Sequence, residues 1–72
     1  MIIPKFTVYR IMKKAGAKKV SYKAAEYLAK YLEDLAAEIT KSAIKVAEQS
    51  GRITVKEEDI RLVLEIKEGL IK

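Results

Sequence analysis

Cysteine, histidine and tryptophan are absent from the sequence, and proline occurs once among 72 residues. Without cysteine or histidine, the chain has no disulfide and none of the common zinc sites to stabilise it. A chain of this length buries only about 60% of the surface that its unfolded form exposes, so its own core is marginal. We therefore expect stabilisation by close helix packing, by association of chains, or by both.

The same absences argue against an enzyme. Neither histidine nor cysteine is available as a nucleophile or base, and the acidic residues fall on expected helix surfaces. The acidic run Glu57–Asp59 is compatible with a cation site, but compensation of a helix dipole explains it better. We expect no catalytic residue, no bound metal, no cofactor and no small-molecule substrate.

Long apolar runs are also missing, since none approaches the roughly 20 residues of a membrane-spanning helix. The opening segment MIIPKFTVYR lacks the basic leader, apolar block and cleavage site of a signal peptide. We therefore expect an intracellular protein with no membrane segment.

The net charge of +5 is distributed unevenly along the chain. Residues 1–30 contain eight basic residues and the single acid Glu26, whereas the remaining residues contain seven basic and nine acidic ones. A basic front half indicates a surface that faces a polyanion such as nucleic acid. The alternative is charge that serves only solubility.

Two breaks centred on Gly16 and Gly51 divide the chain into three segments with helical periodicity. The first helix is predicted from about Pro4 to Ala15. Its apolar positions follow helical spacing and are Val8, Ile11, Met12 and Ala15.

The middle segment predicts one helix of roughly 28 residues, or about 42 Å. Ser21 is a suitable N-cap, and neither glycine nor proline follows before Gly51. Its main apolar stripe consists of Ala25, Leu28, Leu32, Leu35, Ile39, Ala43 and Val46. The helix is apolar or small around most of its girth, and two short helices cannot cover it. We therefore expect an obligate dimer.

The last helix is predicted to begin with a capping box formed by Thr54 and Glu57. Its buried face is expected to contain Val55, Leu62, Val63 and Ile66. Short extended stretches at Lys19–Val20 and around Ile53 are compatible with pairing.

Three segments of the chain resemble archaeal histones, which are histone-fold proteins. They are RIMKKAGAKKVS (Arg10–Ser21), LAKYLED (Leu28–Asp34) and AIKVAEQSGRITVKEEDI (Ala43–Ile60). The resemblance runs from about Pro4 to Ile66. It implies an all-α histone fold of short, long and short helices, a single domain over residues 1–72, and an intertwined handshake dimer.

The resemblance also implies that double-stranded DNA is wrapped with little reading of its bases. It places the protein in the cytoplasm, on the chromosome of the nucleoid. The DNA-contacting positions that it implies are Arg10, Lys13, Lys14, Lys19, Val20, Ser21, Thr54, Val55 and Lys56. A solvent-facing role is the alternative for the basic residues, and helix packing is the alternative to base stacking for the tyrosines.

Two further roles are implied by the resemblance. Arg52 and Asp59 form a clamp that shapes the second loop, which lies beside the first loop of the partner chain. Contacts between dimers involve Val46, Glu48, Gln49 and Asp59. Glu48, Gln49 and Ile53 depart from the residues usual in archaeal histones, which leaves open whether dimers stack into tetramers or longer assemblies.

The partner of the dimer is expected to be a second copy of the chain or a sister histone. The rival interpretation of the sequence is a dimerising subunit of a transcription or chromatin complex that binds DNA weakly. Ile53 and Glu48 favour this interpretation, whereas the basic front half favours DNA.

Overall fold

Three α-helices follow one another in the computed structural model, which describes the backbone of residues 2–71 and the side chains of residues 2–66. They are α1 (Lys5–Lys14), α2 (Tyr22–Gln49) and α3 (Glu57–Ile71). The backbone from residue 2 to residue 71 contains no strand, so neither Lys19–Val20 nor Ile53 takes part in a ladder. The prediction of an all-α fold with a long middle helix is confirmed.

Two compact units divide the chain, Met1–Leu35 and Ala36–Lys72, and α2 contributes residues to both. None of the helices in the described part of the chain is both long and apolar enough to cross a membrane.

In the first unit, α1 follows Pro4, whose extended backbone has φ −64° and ψ 131°. The helix ends in a Schellman motif at Gly16, which has φ +119°. The N–H of Gly16 donates to the Lys13 carbonyl at 3.0 Å, and the N–H of Ala17 donates to the Met12 carbonyl at 3.2 Å. These bonds satisfy carbonyls that the end of the helix would otherwise leave unpaired.

The predicted N-cap of α2 is confirmed. The Ser21 Oγ accepts a hydrogen bond from the N–H of Ala24 at 3.0 Å. Behind this turn, Val8 of α1 and the alanines Ala25 and Ala29 of α2 are buried. The first unit therefore has a small core, and Leu28 and Leu32 of the predicted stripe are only half-buried around it.

The residues that precede α1 are attached to α2 through Glu33. Its Oε1 accepts a hydrogen bond from the N–H of Ile3 at 2.7 Å, and another from the N–H of Ile2. Sequence periodicity placed Glu33 on the polar stripe of α2 and gave no sign of this contact.

In the second unit, α2 ends in another Schellman motif, here at Gly51 with φ +73°. The N–H of Gly51 donates to the Glu48 carbonyl at 3.0 Å, and the N–H of Arg52 donates to the Ala47 carbonyl at 2.9 Å. The turn therefore fixes the direction in which the chain leaves α2 and starts the second loop.

The start of α3 differs from the prediction, and the capping box assigned to Thr54 and Glu57 is wrong. The helix begins at Glu57, and Asp59 is the residue whose carboxylate accepts a backbone N–H, that of Lys56, at 2.8 Å. Glu57 instead pairs with Arg61 one turn later on the surface. The reason is spacing, because the third residue of α3 is Asp59 and only that position reaches back to the residue before the helix.

The core of the second unit is formed by Ala43, Ala47 and Val63, together with Asp59. Ile39, Val46 and Val55 are half-buried. Leu62 and Ile66, which the sequence placed on the buried face of α3, remain substantially exposed.

Candidate nucleic-acid interface

The first loop joins α1 to α2 and is surrounded by exposed basic residues. The structure places the side chains of Arg10, Lys13, Lys14, Lys19 and Ser21 at the surface, and Val20 is half-buried. The loop does not rest on backbone bonds alone, because the Lys13 Nζ donates a hydrogen bond to the Lys18 carbonyl at 2.6 Å. Lys13 therefore braces the loop while keeping its charge at the surface, a role that the sequence did not reveal.

The N-terminus of α2 adjoins this loop and has no acidic residue in its first turn. The partial positive charge of the helix end is therefore not compensated by a side chain within that turn. By contrast, the first turn of α3 contains Glu57, Glu58 and Asp59. Free N–H groups and the positive end of a dipole together suit a phosphate, so the start of α2 suits an anion and the start of α3 does not.

The second loop joins α2 to α3 and contains the other predicted DNA-contacting residues. Thr54 and Lys56 are exposed, and Val55 is half-buried. Ile53 is 99% exposed, although it is a large apolar residue. The loop therefore presents one cation and one isoleucine to its surroundings.

Arg52 and Asp59 meet through two parallel hydrogen bonds at the base of this loop. The Arg52 Nη1 lies 3.0 Å from Asp59 Oδ2, and Nη2 lies 2.8 Å from Oδ1. Only 1% of the Asp59 side chain is exposed, against 24% of that of Arg52. A bidentate pair in this geometry restricts both side chains more than a single contact does.

Two backbone groups complete the network around this pair. The Arg52 Nη1 also donates to the Thr54 carbonyl at 3.0 Å, and Asp59 Oδ2 also accepts from the N–H of Lys56. The Glu58 carboxylate lies 3.6 Å from Arg52 Nη2. The sequence predicted the pair but not its backbone partners, for which the only available signal was an aspartate at the third position of a helix.

The network shifts the pKa values of both charged groups. Hydrogen bonding to Arg52, and then to the N–H of Lys56, lowers the pKa of Asp59 from 3.8 to about 2 despite its burial. The hydrogen bond to Asp59 raises the pKa of Arg52. Both groups therefore stay charged at neutral pH, and the loop is held by an ionised pair.

The residues predicted to join dimers lie at the end of α2 and the start of α3. Glu48 and Gln49 are exposed and Val46 is half-buried. Asp59 is almost fully buried, and both of its oxygens already accept hydrogen bonds within the second unit. Glu48 and Gln49 are therefore the members of this group that are accessible in a single chain.

Comparison with known proteins gives the family. Residues 1–64 match the model of the family described as "Histone-like transcription factor (CBF/NF-Y) and archaeal histone". Two relatives, each aligned over 62 residues, cover 86% of this chain and 92% of their own length. One belongs to archaeal histone HAN1 of Thermococcus zilligii, at 47% identity, and the other is probable archaeal histone 3 of Methanocaldococcus jannaschii, at 42%. The chain therefore belongs to the family of histone-like transcription factors and archaeal histones, and its three helices form a histone fold.

Proposed function

We propose that this protein is a histone that dimerises, then binds and wraps double-stranded DNA with little sequence specificity. Its relatives are named archaeal histones, and the family match extends continuously over residues 1–64. That continuity supports a single histone-fold domain over residues 1–72. The protein would act on the chromosome in the nucleoid, as a packaging protein and not as an enzyme.

The dimer is supported by the surface of α2. Between residues 30 and 42 no side chain is fully buried, and Leu32, Leu35 and Ile39 are each only half-buried. Complete burial of one such side chain stabilises a fold by roughly 1.5–3 kcal/mol, and half of that gain is not realised in one chain. A second copy or a sister histone crossing α2 would cover these residues. The exposed Ile11 of α1 and Leu62 of α3 provide further apolar surface for it.

The rigid second loop fits the same assembly. In a handshake dimer it would lie beside the first loop of the partner chain, so both loops would offer cations to one stretch of DNA. The bonds from Arg52 to Asp59 and to the Thr54 carbonyl keep the second loop in one conformation before any partner arrives. A loop ordered in advance loses less conformational entropy on binding.

The observation that carries the DNA-binding proposal is the set of unpaired cations around the first loop. Among the described side chains, Arg10, Lys14 and Lys19 are exposed and form no ion pair with an acidic residue. Together with the start of α2, they form a surface that phosphates would neutralise. Binding of this kind depends on charge and on DNA bending, with few contacts to base edges.

A salt series tests this proposal. If a dimer neutralises about six phosphates, the logarithm of its affinity for random-sequence duplex should fall with the logarithm of salt concentration at a slope of roughly −5. The double variant Arg10→Ala/Lys19→Ala should weaken binding equally on all sequences. The matched control is Lys41→Ala/Lys45→Ala, which removes the same charge from exposed positions of α2. Equal effects of the two variants would refute the assigned surface.

The second candidate function is that of a dimerising subunit in a transcription complex. It is favoured by the fully exposed Ile53 and by Glu48, which put an apolar and an acidic side chain where a protein partner would tolerate them better than DNA. A protein of this kind would dimerise but show no salt-sensitive affinity for duplex. The same salt series therefore separates the two functions.

A further inference from the structure

Three aromatic rings meet where α1 and α2 begin, and we call Phe6, Tyr9 and Tyr22 the aromatic cluster. The ring centroids of Phe6 and Tyr22 lie 5.5 Å apart in an edge-to-face arrangement. Those of Tyr9 and Tyr22 lie 5.4 Å apart with their planes tilted by 35°. Both spacings are typical of aromatic pairs that fix each other's orientation.

The cluster faces outward to an unusual degree for large rings in contact. Phe6 is 55% exposed and Tyr22 is 56% exposed, whereas Val8 on the same helix is buried. Rings that contribute only to a core would be covered, because each can bury 150–250 Å². Much of both ring surfaces therefore remains available to a ligand within the first unit.

Positive charge borders these rings. The Lys5 Nζ lies 5.7 Å from the Phe6 centroid and 6.0 Å from the Tyr22 centroid, and 3.9 Å from the carboxylate of Glu26. Arg10 follows Phe6 by one helical turn on the same face of α1, and it is exposed. Lys23, next to Tyr22, is exposed as well. Three cations and one acid therefore surround the rings.

We propose that the aromatic cluster binds unpaired bases of single-stranded DNA by stacking, with Lys5, Arg10 and Lys23 neutralising the adjoining phosphates. Exposed aromatic rings beside cations are the elements with which proteins hold single strands, and every base offers a flat face to them. Duplex DNA keeps its base faces stacked on each other and cannot use the cluster in this way. The activity is thus separate from the wrapping of duplex.

The other exposed tyrosines of α2 do not share this setting. Tyr27 and Tyr31 lie beside shallow surface depressions whose linings include the carboxylates of Glu26, Glu33 and Asp34. Acidic groups repel a phosphate backbone, so charge favours the aromatic cluster as the site for a single strand. Tyr27, which is 82% exposed, supplies a control position.

The experiment measures the affinity of the full-length protein for two fluorescent 20-nucleotide strands by anisotropy. One strand is oligo(dT), and the other is an abasic strand with the same number of phosphates. We expect wild-type protein to bind oligo(dT) at least about tenfold more tightly, since stacking of even one base can supply that factor. The variant Phe6→Leu/Tyr22→Leu keeps apolar volume without rings and should lose this preference. Tyr27→Leu and the ring-conserving Tyr22→Phe should retain it.

Equal affinity of the wild-type protein for the two strands would overturn the inference, whatever the variants show. So would a preference that survives Phe6→Leu/Tyr22→Leu in protein that circular dichroism shows to be folded. Random-sequence duplex, titrated in parallel, tests the proposed histone function separately. Loss of duplex binding with a retained preference for bases would contradict that function and leave the single-strand site standing.

Discussion

Arg52 and Asp59, seven residues apart, present their charged groups to each other in parallel, with Nη–Oδ distances of 2.8 and 3.0 Å. Arg52 follows the Schellman turn that ends α2, and Asp59 is the third residue of α3. One ion pair thus connects the end of one helix to the start of the next. It holds the second loop from both sides.

Substitution of Arg52 by alanine should destabilise the fold. The buried carboxylate of Asp59 would lose its charged partner, and an unpaired buried charge costs more than the loss of a surface contact. We expect the melting temperature to fall by roughly 5–10 °C, a large shift for a domain of this size. Lys41→Ala, which removes an exposed cation from α2, should change it by no more than about 2 °C. Equal melting temperatures for the two variants would show that the pair does not hold the loop.

The same pair should make stability depend on acid. Because folding lowers the pKa of Asp59 from 3.8 to about 2, the ionised pair contributes its full stabilisation above pH 3.8. That contribution is lost as the pH falls through about 2 and the carboxylate gains a proton. Asp59→Asn should be less stable than wild type at neutral pH, and the two should converge on acidification. Urea unfolding at a series of pH values measures this, and a constant difference would contradict the assignment.

Substitution of Gly51 by alanine should cost about 1–2 kcal/mol, because an L side chain is strained in the left-handed region. Gly51 has φ +73°, and an added methyl group would meet no atom within 4 Å. The whole cost should therefore come from the backbone. Ser50→Ala, one position earlier and within the helical region of the turn, is the matched control. A Gly51→Ala variant as stable as this control would show that the turn relaxes at little cost.

Replacement of Ile53 by lysine should strengthen DNA binding without affecting the fold. The side chain is 99% exposed, so no packing is lost. Each dimer would gain two cations beside the second loop, and the slope of affinity against salt should steepen by up to about 2. Ile53→Ser keeps the charge unchanged and should leave the slope as it is. An unaltered slope for Ile53→Lys would place the second loop away from DNA.

The three helices could be predicted from sequence because their ends carry local signals. Gly16 and Gly51 mark helix ends by a backbone conformation that other residues avoid, and Ser21 marks a helix start through its hydroxyl group. The start of α3 was predicted wrongly because Thr54–Glu57 and Lys56–Asp59 both have capping spacing. Choosing between them required knowledge that Arg52 holds Asp59 in place.

The candidate site was predictable only in part. Basic residues near the first loop follow from charge and from the family resemblance, so Arg10 and Lys19 could be named in advance. The bond from Lys13 to the Lys18 carbonyl and the meeting of Phe6 with Tyr22 depend on side chains brought together by folding. Helical periodicity within one segment has no information about such contacts.

The central claim is that α2 is stably folded only when a second chain covers it, and that this association aligns the cationic loops. Sedimentation equilibrium at micromolar concentration without DNA, with circular dichroism on the same samples, tests it most directly. We predict a helical species with twice the mass of the 8.1 kDa chain, whose helix content falls as dilution separates the chains. A fully helical, cooperatively unfolding single chain at these concentrations would contradict the account.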